Sequence, residues 1–254
     1  MPRAFTRAVS PRLADCQLTH QGRVPIDAAR AIVQHAAYEQ ALREAGLEII
    51  RLPDLPGDPD AVFVEDTAVL LGDHAILTRP GAASRADEVE STAAGLAGHF
   101  TLHRIERGHL DGGDVLRIGQ RLYVGLSTRT DQPGIDALAA LCGPLGFEVV
   151  RATLRDCLHL KTGATLAAPG LVLCNPDAVD PAQFAGVEPL AVDPAEPAAA
   201  NIVRAGERLI LAAGNSATAA KLRARGFNVV EVDVSELQKA EAGGTCMSLI
   251  DERP

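Results

Sequence analysis

The residues able to do chemistry fall in five short stretches, far apart in the chain: Asp60, Glu65 and Asp66; Asp111 and Asp114; His159; Asn201; and Cys246. Carboxylates match a planar, forked cation such as a guanidinium through charge-assisted hydrogen bonds. A cysteine thiolate can attack the carbon of that cation, and a histidine can protonate the amine that departs. Each residue also has an ordinary explanation when taken alone. Cys246 lies among apolar residues, where a cysteine is by default inert packing. A single histidine is most often hydrogen-bonded and structural. Asp60, Glu65 and Asp66 suit a solvated loop, Asp111 before Gly112-Gly113 is a natural turn acid, and Asp114 suits a brace of the same loop. The choice turns on whether one framework delivers all of them to one point.

That framework is a repeat. Residues 46–53, 99–106, 146–153, 186–193 and 226–233 are similar β-type runs, each following a stretch that reads as a helix. The predicted helices cover 27–45, a segment opened by a Ser84–Asp87 capping pair and ending near Gly98, 134–142, a short piece at 181–185, and 216–225. After each run come a loop and a hairpin-like strand pair turning on Gly or Pro. The last segment, 245–251, needs a partner, and the N-terminal AFTRAVS is the obvious one. Pairing the two chain ends closes a ring and removes its exposed edges. The fold class expected is therefore α/β, a five-bladed α/β propeller with fivefold pseudosymmetry, one domain over residues 1–254. The polar residues singled out lie just after the repeated strands, at the end of each unit facing the pseudo-axis. A doubly wound parallel sheet is the alternative, but no GxGxxG opens a helix after the first strand.

Bulk properties narrow the function. The chain has 254 residues, 47% hydrophobic, with 3% aromatics, no Trp and a net charge of -9 without any basic block. A nucleic-acid partner is not expected, since it requires a basic face. The first residues lack the apolar core of a signal peptide, and no apolar run approaches the roughly 20 residues that span a bilayer, so no membrane partner is expected. The five cysteines are scattered and form no CxxC pair, which argues against disulfide scaffolding and structural zinc and for a reduced, cytoplasmic protein. Cys157 and His159 alone make a poor zinc site. Cys16, Cys142, Cys157 and Cys174 are read as structural.

At the chemical residues the chain resembles the dimethylarginine dimethylaminohydrolases of the pentein, or amidinotransferase-like, superfamily. The matching strings are Asp60-Ala-Val-Phe-Val-Glu65-Asp66-Thr-Ala-Val, Arg79-Pro-Gly-Ala-Ala-Ser-Arg85, Leu110-Asp111-Gly-Gly-Asp114-Val-Leu, Val124-Gly-Leu-Ser-Thr-Arg129-Thr, Leu158-His159-Leu-Lys and Thr245-Cys246-Met-Ser. They stand in the family's order and spacing across nearly the whole chain. The resemblance implies hydrolysis of a methylated arginine to citrulline, with no cofactor and no metal. It implies Cys246 as nucleophile, His159 as general acid and base, and Asp111 as the acid that orients it. Glu65 and Asp66 would meet the guanidinium, and Arg85 and Arg129 would grip the α-carboxylate. Asp60 would meet the α-amino group together with the carbonyls of Leu18, on a flexible lid loop, and Ala240.

Two departures stand out. Ala240 replaces a larger aliphatic residue, and Gly243-Gly244 replace bulkier ones, which loosens the segment before Cys246. The rival functions are an arginine deiminase, an agmatine deiminase, a hydrolase of other substituted guanidines or ureas, and a non-catalytic pentein of the ribosome anti-association type. Deiminases of arginine usually carry a helical insertion absent here, agmatine has no carboxylate for the two arginines, and the non-catalytic type lacks the Cys and His. The expected partner is a small molecule; a homodimer is possible and is not legible in the sequence.

Overall fold

In the computed structural model, which describes residues 1–253, fifteen short strands form five three-stranded sheets. The first sheet joins both chain ends. Strand β1 (Arg3–Thr6) pairs antiparallel with the last strand and, after helix α1 (Ala28–Glu44), parallel with β2 (Glu48–Arg51). The second sheet holds β3 (Ala68–Leu71), β4 (His74–Leu77) and, after α2 (Glu88–Leu96), β5 (Thr101–Arg104). The third holds β6 (Val115–Ile118), β7 (Arg121–Leu126) and, after α3 (Gln132–Cys142), β8 (Glu148–Thr153). A single turn α4 (Leu160–Gly163) leads into the fourth: β9 (Ala164–Ala168), β10 (Leu171–Cys174) and β11 (Glu188–Ala191). The fifth holds β12 (Val203–Ala205), β13 (Arg208–Ala212) and, after α5 (Ser216–Ala224), β14 (Asn228–Val232). A last turn α6 (Ser235–Gln238) precedes β15 (Leu249–Asp251). The three-pair register of the closing strands sets Arg3 opposite Asp251, Ala4 opposite Ile250 and Phe5 opposite Leu249. This is the expected five-bladed ring.

In each blade the middle strand is antiparallel to one neighbour and parallel to the other, so the chain must return through a crossover before the outer strand. Each return ends on a glycine that opens the outer strand: Gly46, Gly98, Gly146, Gly186 and Gly226, with φ between +79° and +90°. Only glycine takes that conformation without strain, which is why the same residue marks every repeat. The helix faces turned to the sheets carry Leu42, Val89, Leu96, Ile135, Leu138 and Leu222, which join four of five apolar clusters, each cluster bridging two neighbouring blades. No helix among the described residues is long and apolar enough to cross a membrane.

Two local expectations differ. The fourth crossover contains only a 3-10 turn, Pro181–Gln183, because Asp180 accepts from Ala182 N and Phe184 leaves helical backbone at once. The Ser84–Asp87 capping pair does not form. Asp87 sits at the N-cap of α2 without a side-chain bond, and Ser84 Oγ donates instead to Gln17 Oε1, 3.2 Å away in the lid loop.

Candidate active site

The segments joining the outer strand of one blade to the inner strand of the next all end at one mouth of the ring. Asp60, Glu65 and Asp66 lie between β2 and β3, Asp111 between β5 and β6, His159 between β8 and β9, and Cys246 between β14 and β15. Of these, Asp60, Asp66, His159 and Cys246 line a narrow cavity of about 30 Å³, together with Arg85, Arg129 and Ala240.

His159 sits between two carboxylates. Its Nε2 is 3.1 Å from Asp111 Oδ2 and its Nδ1 is 3.8 Å from Asp66 Oδ1. Burial alone would lower the imidazole pKa, but Asp66, the Asp111 hydrogen bond and Asp114 together raise it to about 9. The carboxylates around His159 therefore favour its protonated form. Burial pushes Asp66 up, yet His159 and Arg85 outweigh it and hold Asp66 below the usual carboxylate range. Asp111, fully buried, accepts from Gly81 N at 2.8 Å and lies behind the imidazole rather than on the cavity wall. Asp114 accepts from Leu160 N at 2.9 Å and Ser127 Oγ at 2.6 Å, so it fixes the backbone beside His159, as a brace should. Burial lifts its pKa to about 6, against the pull of His159 and its hydrogen-bond donors.

Cys246 lies on a 3-10 turn, Thr245–Met247, and its Sγ accepts from Gly243 N at 3.3 Å. Burial, then the charges of Glu65 and Asp66, raise its pKa far above that of an ordinary thiol. Without a cation in the cavity the group is a thiol. Among the described residues it makes no hydrogen bond to His159, and both side chains line the same cavity. The looseness expected of Gly243-Gly244 is not found. A Cβ on Gly243 would run into the Asn201 carboxamide, and that carboxamide accepts from Thr245 N at 2.9 Å and donates to Thr245 Oγ1 at 3.0 Å. Asn201, the unreactive member of the repeated set, thus stiffens the nucleophile's turn.

Glu65 and Arg85 stand differently from expectation. Glu65 is paired with Lys161 Nζ at 2.6 Å and with Thr245 Oγ1 at 2.6 Å, below the cavity rather than on its wall. Its charge still reaches Cys246. Arg85 is buried and spends its donors on Asp66 (2.5 Å), Glu88 (2.8 Å) and the carbonyl of Phe63 (2.8 Å). A second ligand for a carboxylate is thus costly there, because the existing buried pairs would have to break. Arg129 is less committed: its guanidinium donates to Thr19 Oγ1 at 2.9 Å. Asp60 accepts from Gln17 N at 3.1 Å. Leu18 is half-buried on the lid loop and Ala240 is buried at the cavity, and neither carbonyl accepts a hydrogen bond among the described residues. Asp66, Asp111 and His159 also offer three ligand atoms within 4.8 Å of one another, enough to hold a metal ion. Their charges are already met by the imidazolium and by Arg85, so the set is complete as an ion-pair network.

No protein-family model matches the chain. Over 251 residues it is 39% identical to the N(G),N(G)-dimethylarginine dimethylaminohydrolase of Streptomyces coelicolor, spanning 97% of this chain and 96% of the relative. The Pseudomonas aeruginosa protein of the same name is 35% identical over 226 residues, 88% of this chain and 89% of its own. The chain belongs to the dimethylarginine dimethylaminohydrolase family. A solved structure of the Pseudomonas aeruginosa dimethylarginine dimethylaminohydrolase, a cysteine-to-serine variant complexed with citrulline, is similar with a TM-score of 0.93 at 33% identity, covering 98% of each chain. The N-terminal domain of the arginine dihydrolase ArgZ shares the fold, with a TM-score of 0.87 at 23% identity.

Within this dimethylarginine dimethylaminohydrolase site, several residues carry no local sequence signal. Arg7 is fully buried and donates to Pro53 O (3.0 Å) and Ala61 O (2.9 Å), so it holds the loop that bears Asp60. Lys161, Gln17 and Glu241 act across more than 40 residues of chain. Lys161 lies within the string that holds His159, and Gln17 and Glu241 each adjoin a residue singled out in the sequence, Leu18 and Ala240, but none of the three was itself assigned a role.

Proposed function

We propose that the chain hydrolyses Nω-methylated arginine, asymmetric dimethylarginine or monomethylarginine, to citrulline and dimethylamine or methylamine. The observation that carries the reading is the doubly paired His159 facing the same narrow cavity as Cys246, in a member of this family. The guanidinium enters as a cation beside Asp66 and within the field of Glu65. Its charge offsets the two carboxylates that keep Cys246 protonated, so the thiol gives up its proton to solvent water as substrate binds, His159 being already protonated. The sulfur then bonds to the guanidinium carbon. As the tetrahedral adduct collapses, the bond to the methylated nitrogen breaks and His159 supplies the proton that nitrogen needs. A covalent thiouronium remains on Cys246. Water, losing its proton to the now neutral His159, adds to the same carbon, and the C–S bond breaks to release citrulline.

Asp111 acts by holding the imidazole and its charge. At the other end, Arg129 grips the substrate's α-carboxylate, with Arg85 adding its charge from behind Asp66 and Glu88. Asp60 and the carbonyls of Leu18 and Ala240 receive the α-amino group. No cofactor or metal takes part in this scheme. Five unpaired thiols suit a reducing, cytoplasmic setting.

The test is citrulline release from asymmetric dimethylarginine, with unmodified arginine alongside, for the wild type and Cys246→Ser. Release from the methylated substrate alone, lost by about a thousandfold or more in the variant, supports reaction and nucleophile together. Release from arginine at a similar rate would overturn the substrate assignment.

A further inference from the structure

Among the described residues only two outside glycine carry positive φ: Asp156 at +42° and Glu241 at +61°. Side chains rarely tolerate that backbone, and it persists only where the surroundings impose it. Both residues reach the same loop. The Glu241 carboxylate accepts from three successive backbone amides, Thr19 N at 2.9 Å, His20 N at 2.6 Å and Gln21 N at 2.5 Å. Asp156 lies across from it, 3.6 Å from His20 Nδ1. One carboxylate on three consecutive N–H groups is a backbone anion nest used within the chain, with charge-assisted bonds.

The loop it holds is the one over the cavity. With residues 16–23 in this position the free space is about 30 Å³, room for about two waters. An amino-acid substrate needs more room than this, so the lining must shift to admit it, and the three bonds restrain the loop that contributes Gln17 to that lining. Glu241 itself lines the cavity and directly follows Ala240. Its left-handed backbone sets the orientation of the peptide that carries the Ala240 carbonyl.

We infer that Glu241 is a positioning residue, the latch of the lid. Its carboxylate closes the loop over bound substrate while its backbone sets the Ala240 carbonyl toward the α-amino group. The second half rests on the substrate reading above; the latch is tested without it. Glu241→Gly keeps the left-handed backbone without strain and removes the carboxylate, so it separates the grip from the conformation. Glu241→Gln keeps the length and replaces one acceptor oxygen by a donor. Amide hydrogen exchange at Thr19, His20 and Gln21, measured without substrate, is expected to speed up by about tenfold or more in both variants. Exchange in β7 should be unchanged. For asymmetric dimethylarginine, KM should rise roughly tenfold to a hundredfold with kcat within about threefold, since the contacts are remote from the reacting carbon. Glu241→Asp should recover part of the loss. Unchanged exchange in Glu241→Gly, or wild-type KM in both variants, would overturn the latch. If the wild type released no citrulline, the α-amino half would be overturned and the exchange result would still decide the latch.

Discussion

Around the reacting sulfur, every chemical side chain stands on a short segment that leaves one sheet and enters the next, and each is held by partners from other blades. His159 is fixed by Asp111, Asp66 and, through its neighbour Leu160, Asp114; Cys246 is fixed by Asn201 through Thr245. Over the far end of the cavity, residues 16–23 belong to no strand or helix. They are held by side-chain bonds to Glu241, Asp60 and Arg129. The floor is complete before substrate arrives, and the roof is a contact that must break and reform. The floor should therefore govern the chemical step and the roof the capture of substrate, and substitutions in the two regions should split between kcat and KM.

The largest expected effect is in the floor. Asp111→Asn removes the charge behind His159 while keeping its size, and kcat should fall by about 10²–10⁴-fold with KM little changed. A rise in KM of the same size would merge the two regions.

The charge on His159 has a pH signature. Its folded pKa of about 9 lies above the ordinary 6.5, so the ion pair stabilises the fold fully below pH 6.5 and the gain is lost as pH rises through 9. The contribution is on the order of 3 kcal/mol. Urea unfolding of the wild type and His159→Gln near pH 6 and near pH 10 should give a gap that shrinks at the higher pH. An equal gap at both values would mean that His159 is neutral in the fold.

In the roof, Arg129→Ala should raise KM by roughly tenfold to a hundredfold while kcat holds within about threefold. Steady-state kinetics on methylarginine would show it, and an unchanged KM would remove Arg129 from the carboxylate clamp. The smallest effect sharpens the account of the floor. A Cβ on Gly244 lies 3.3 Å from Val203 Cγ2, a contact the valine can relieve, so Gly244→Ala should cost less than about 1 kcal/mol. Gly243→Ala drives into Asn201 and should lose much more activity than Gly244→Ala. Equal effects would show that Asn201 does not hold the nucleophile's turn.

The same division explains what could be read from the residues. Five outer strands share a glycine start and alternate with helices, a local pattern repeated along the chain, so the ring and its closure by the two termini were legible. Cys246, His159 and Asp111 stood out because each follows a repeated strand. Long-range pairing leaves no such pattern. Arg85 looks available in sequence, yet it is spent on Asp66 and Glu88. Glu65 looks like a guanidinium ligand, yet it rests on Lys161 and Thr245. The Ser84 cap lost to Gln17, and Glu241 reaches a loop some 220 positions away. Such contacts depend on which loops meet above the ring, and composition and spacing do not encode that.

The central claim is that Cys246 carries the guanidino carbon covalently between two steps assisted by His159. Wild-type protein quenched in acid during turnover of asymmetric dimethylarginine, then digested and weighed by mass spectrometry, tests this directly. The account predicts an adduct on the Cys246 peptide equal to the substrate less dimethylamine, absent from Cys246→Ser. An adduct on another cysteine, or citrulline formed at the wild-type rate by Cys246→Ser, would contradict it.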